Sequence, residues 1–77
     1  MRRVDDFPTL DLPGIRHENA EILIEDFILK SIDDLPIAIV TGHSDHYREV
    51  LRQLVEKWEL KMHPQWWWNQ GCWIIEE

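Results

Sequence analysis

The sequence predicts one small α/β domain of the α+β two-layer sandwich kind, in the order β-α-β-α-β-β, with two helices on a mixed four-stranded sheet. Three observations predict it. Apolar residues recur at three- and four-residue spacing in two separate segments, a β-branched apolar run lies between those segments, and turn residues punctuate every junction. Strand, helix, strand, helix in short alternation implies right-handed parallel crossovers, and two further short strands close the chain as a hairpin.

The first eight residues form a tail, and the domain runs from residue 9 to 77. Thr9-Leu10-Asp11-Leu12 is half alternating and stops at Pro13-Gly14, which reads as a strand and a turn. From about His17 to Ser31, Ala20, Leu23, Ile24, Phe27 and Ile28 fall on one helical face, with acids on the other. Glu18 and Glu21 sit in the first turns, where the helix dipole favours negative charge, although neither Arg16 nor His17 is a good N-cap. Pro36 then opens Ile37-Ala38-Ile39-Val40-Thr41, a run that reads as a strand buried on both faces.

Gly42-His43-Ser44 follows, with Ser44 as the N-cap of a second helix in which Tyr47, Leu51, Leu54, Val55 and Trp58 keep helical spacing. Leu60-Lys61-Met62-His63 and Cys72-Trp73-Ile74-Ile75 read as two strands flanking a loop that contains Asn69-Gln70-Gly71, with Pro64 unsettling the end of the first. In a sheet of this kind ligands bind beyond the carboxyl ends of the parallel strands. Here that directs attention to the loops Pro13 to His17 and Gly42 to His46.

Charge narrows the function classes. Eight Lys plus Arg against fifteen Asp plus Glu give a net charge of -7, which opposes tight non-specific binding to duplex nucleic acid at physiological salt. The single cysteine, Cys72, forms no internal disulfide, and a reducing cytoplasmic setting is the expectation. No stretch approaches a membrane span, so no membrane partner is expected.

Taken together, Leu10-Asp11-Leu12-Pro13-Gly14, a helix, then Ile39-Val40-Thr41-Gly42-His43-Ser44 and a helix carrying Leu51-Arg52 resemble the Smr (small MutS-related) pattern. That pattern reads L-D-L-H-G, a strand ending T-G-x-G, a helix with an L-R pair and a terminal hairpin. The resemblance implies a fold like the C-terminal domain of translation initiation factor three and a nucleotide or nucleic-acid surface at the two motif loops. It also implies that the third strand runs parallel to the first two, which brings the Pro64 to Gly71 loop to the same end. Small stand-alone versions carry a sequence like Gly14-Ile15-Arg16-His17-Glu18 and look like those of bacteriophages. In that setting the expectation is a domain in the host cytoplasm, and one concrete form of its binding is sequestration of a nucleotide immune signal.

Larger proteins of the family are associated with cleaving nucleic acid, but this chain has Pro13 where the pattern has His, and a proline transfers no proton. Ser44 likewise replaces the last Gly of T-G-x-G. The expectation is therefore binding without strong catalysis. The enzymatic alternative, an endonuclease or phosphodiesterase, uses Asp11 with His17 or His43 in acid-base roles, and only there does a divalent metal enter.

Each candidate has two readings. Gly42-His43-Ser44-Asp45-His46 is an anion cradle, with Gly14, Arg16, His17 and Thr41 adding to it, or it is an ordinary serine-capped turn. Asp11 is a catalytic carboxylate or a residue that holds loop amides. The four histidines and Cys72 show no zinc spacing, so no cofactor is expected. Trp66, Trp67 and Trp68 in a row, with Trp73 close behind, complete the core, join two copies as a homodimer or higher oligomer, contact another protein, or stack on a base.

Overall fold

The computed structural model describes residues 7–66 and 69–77. Its elements are β1 (Thr9–Asp11), α1 (His17–Lys30), β2 (Ile37–Val40), α2 (Asp45–Lys57), β3 (Lys61–Trp66) and β4 (Asn69–Glu76). They form an α+β fold with two helices and a mixed sheet of four strands in the order β1-β2-β4-β3. β1 pairs parallel with β2, while β4 pairs antiparallel with both β2 and β3. Strand β3 therefore runs in the direction of β1 and β2, and the carboxyl ends of all three lie at one end of the sheet.

The main core joins both helices to one face of the sheet. Ala20, Ile24 and Ile28 of α1 and Leu51, Leu54 and Val55 of α2 pack with Leu12, Ile37, Ile39 and Ile75. Removing an Ile or Leu side chain of this kind from water contributes about 1.5–3 kcal/mol, which is why the helical periodicity dominates the sequence. A second cluster of Ala38, Cys72 and Ile74, with Phe7 and Val40 against it, occupies the opposite face. Ile37, Ala38 and Ile39 are all fully buried, as their unbroken apolar run predicts.

Two expectations need correcting. The hairpin is longer than its apolar segments: β3 continues through Pro64 to Trp66, and Asn69, Gln70 and Gly71 belong to β4 rather than to a loop. The strand tolerates Pro64 because β3 is an edge strand, where a missing N–H costs no ladder bond on the open side, and the register shifts between Pro64 and Trp66. Leu23, expected on the apolar face of α1 with Ala20, Ile24 and Ile28, is 37% exposed where those three are fully buried.

The start of α1 bears out the weak capping signal, since Arg16 occupies the N-cap and makes no side-chain cap bond. The start of α2 is capped as its sequence predicts: Ser44 Oγ accepts a hydrogen bond from Tyr47 N at 3.2 Å. At the far end of α2, Leu60 N donates to Val55 O and Glu59 N to Glu56 O, with Glu59 at φ 55°. This is the paired-bond ending that usually places glycine at the left-handed position.

Candidate functional site

The loops after β1 and β2 meet because their strands are parallel neighbours. Leu12 N donates to Val40 O at 3.0 Å, which extends the ladder past the end of β1. Gly42 takes φ +61°, and a Cβ there would stand 3.4 Å from Pro13 Cγ, so the two loops are already in contact at this point. Gly14, at φ +95°, turns the first loop toward α1. The carbonyl of Gly71 accepts from both Thr41 N and Gly42 N, at 2.9 and 3.0 Å, and so ties the β4 end of the hairpin to the second loop.

Side chains of the two helix starts complete the junction. The rings of His17 and His46 stack with centroids 4.3 Å apart and 18° between planes, and His46 Nε2 donates to the His17 carbonyl at 3.3 Å. Tyr47 stands edge-on to His17 at 4.9 Å, and its hydroxyl donates to the carbonyl of Ile15. The first turns of α1 and α2 are thus held side by side, each with backbone N–H groups that lack helical acceptors and with its positive dipole end at the same place. Local charges are largely matched. Arg16 lies 3.5 Å from Glu18, and Arg48 pairs with Asp45.

The candidate residues divide into groups. Gly14, Arg16, His17, Gly42, Ser44 and His46 lie in or beside the two joined loops, and His43 is exposed between Gly42 and Ser44. Thr41 is only 1% exposed; its hydroxyl lies 3.3 Å from Gly42 O and 3.5 Å from Gly71 O, so it braces the loop rather than facing outward. Asp11 lies elsewhere. It alternates with the core-facing Leu10 and Leu12, pairs with Val40, and acts on Cys72 in the cluster on the far face of the sheet.

Strand alternation therefore turns Asp11 away from the stacked histidines, a parity that the motif spacing does not reveal. Trp66 ends β3 at the same end of the sheet as the loops and is half-buried, whereas Trp67 and Trp68 lie outside the described residues. Trp73 packs against the main core, and its Nε1 is buried without a hydrogen-bond partner. Among the described residues no group of three or more His, Cys, Asp or Glu is placed to hold a metal ion. No helix of the described residues is long and apolar enough to cross a membrane.

Two cavities lie away from the loops. One of about 430 Å³ is lined by Ile32, Asp33, Leu35, Pro36, Glu76 and Glu77 at the opposite end of the sheet, and one of about 150 Å³ lies between the helices beside Glu21, Gln53 and Lys57.

Fold and loops together define a two-layer α+β domain with a junction of two strand-to-helix turns. Set against models of protein families, curated proteins and solved structures, the chain finds no match.

Proposed function

We propose that this chain binds a small phosphate-bearing ligand of the nucleotide class at the joined loops after β1 and β2, with little or no catalysis. The observation that carries the reading is the stack of His17 on His46, which holds two helix starts side by side. A phosphate placed there meets backbone N–H groups and two positive dipole ends at once. Ser44 supports it further: its oxygen is used by Tyr47 N, but its hydroxyl hydrogen is left to donate. Trp66, half-buried at the end of β3, lies at the same end of the sheet, and a base stacked on an aromatic gains about 1–3 kcal/mol.

A single nucleotide suits the net charge of -7 better than a long strand does, because one or two phosphates need only a local site. Binding without turnover also suits a protein that sequesters a nucleotide signal, one form that the likeness to small phage versions suggests. The hydrolytic alternative is less well supported, since Asp11 and His17 are turned away from one another.

The test is a calorimetric and tryptophan-fluorescence titration with mononucleotides, cyclic dinucleotides and short RNA, at low and physiological salt. Ser44→Asp keeps a good N-cap, and hence the fold, but sets a negative charge against phosphate. Saturable binding of a nucleotide that survives physiological salt and is lost in Ser44→Asp is expected. No response to any of these ligands overturns the reading, and product release that disappears in Asp11→Asn replaces it with the hydrolytic one.

A further inference from the structure

The outer side of the helical layer carries an apolar stripe that the nucleotide reading leaves unused. Ile22, Glu25 and Leu29 follow one another at spacings of three and four along α1, which places them on one line of the surface, and Ile32 lies in the turn just after the helix. Ile22 is 71% exposed, Leu29 43% and Ile32 36%. Trp58, at the end of α2, is 39% exposed, and its Nε1 donates to Glu25 Oε2 at 2.9 Å, so the indole flanks the same line. Ile22 and Leu29 thus stand three and four residues from Glu25 on α1, and Trp58 reaches the same carboxylate from α2.

The charges around the stripe choose its occupant. Residues 17–34 hold six carboxylates, Glu18, Glu21, Glu25, Asp26, Asp33 and Asp34, against the one lysine Lys30. Lys30 is taken up by Asp26 at 3.0 Å, and Lys57 from α2 by Glu25 at 2.7 Å. An apolar line with an acidic border repels an anionic membrane surface. It equally disfavours a second copy of a chain that carries a net charge of -7. It complements a helix whose apolar anchors recur at three and four residues and whose flanks are basic. We propose that Ile22, Leu29, Ile32 and Trp58 dock an amphipathic, basic helix of a partner protein.

A fluorescein-labelled synthetic peptide of Leu and Lys in helical register, about 14 residues or four turns long, serves as the probe. Its Leu and Glu counterpart is the control, and anisotropy the readout. The Leu and Lys peptide is expected to bind, its affinity falling as salt rises, while the Leu and Glu peptide does not. The double variant Ile22→Ser, Leu29→Ser leaves the buried core untouched and is expected to stay folded, which its urea unfolding curve checks. It should weaken the peptide by roughly tenfold or more, as loss of interface anchors does. Absence of binding, or equal binding by the double variant, overturns the proposal. So does sedimentation equilibrium that finds a dimer in the parent and a monomer in the variant, which makes the stripe a self-interface. Binding to phosphatidylserine vesicles that the variant abolishes makes it a membrane face and overturns the proposal too.

Discussion

His17 and His46 stack ring on ring at 4.3 Å although 29 residues separate them, and the next residue, Tyr47, fixes the same loop from beneath. The first strand-to-helix turn is thereby held by the helix that follows the second. Tyr47 is 5% exposed and packs in the core, so its ring and its hydroxyl make separable contributions.

Tyr47→Phe keeps the ring and deletes only the hydrogen bond to the Ile15 carbonyl. The expected cost is about 1 kcal/mol, the usual net worth of a neutral hydrogen bond, read as a lower urea midpoint at unchanged slope. Amide resonances of Ile15 and Arg16 should shift far more than those of β4.

Glu59 holds a left-handed backbone at φ 55° at the end of α2, where a side chain costs roughly 1 kcal/mol relative to glycine. Glu59→Gly is therefore expected to raise stability despite the added freedom of the unfolded chain. For a domain of this size a gain of about 1 kcal/mol raises Tm by about 4–8 °C, which calorimetry resolves.

Glu49 has a carboxyl lowered to about 2, first by its hydrogen bonds with Arg52 and then by Gln53. A folded value below the unfolded one adds stability that is fully present above the ordinary carboxylate range and is lost as pH falls through the folded value. The window thus runs from about 4.5 down to about 2. Glu49→Gln should flatten the decline of Tm across that window and leave the pH dependence above it unaltered.

Cys72 is buried, and its thiol is pushed up first by burial and then by the Asp11 carboxylate. Only the thiolate attacks disulfide reagents, so Ellman's reagent should react with the native protein far more slowly than with the urea-unfolded chain. Asp11→Asn removes the smaller cause and should speed the native reaction modestly. A native rate equal to the unfolded one would refute the burial of Cys72 in the cluster with Ala38 and Ile74.

The order of elements is legible in the sequence because each depends on local signals: apolar periodicity in both helices, the β-branched run of β2, and Ser44 at the start of α2. What is not legible depends on neighbours in space. Pro64 argues against a strand until β3 is known to be an edge. Glu59 gives no glycine signal for the turn it makes. Leu23 fits the periodicity of α1 yet is 37% exposed, whereas Ala20, Ile24 and Ile28 are fully buried. For the site, the two loops can be foreseen from strand order, but the stacking of His17 on His46 and the opposite outlook of Asp11 come from register and strand parity, which no spacing of motifs reveals.

The strand order β1-β2-β4-β3 gives an interior place in the sheet to the element latest in sequence. Before β4 arrives, β2 has no partner on that side and β3 has none at all, so two of the four strands wait on the final segment. During synthesis the growing chain can form its helices early, by contacts close in sequence, while Ile37 and Ile39 keep an unfinished edge. The sheet is thus completed by insertion, as a zip closes when its slider passes between two sides, and the junction at Gly71 that braces Thr41 and Gly42 is among the contacts that only this last step supplies.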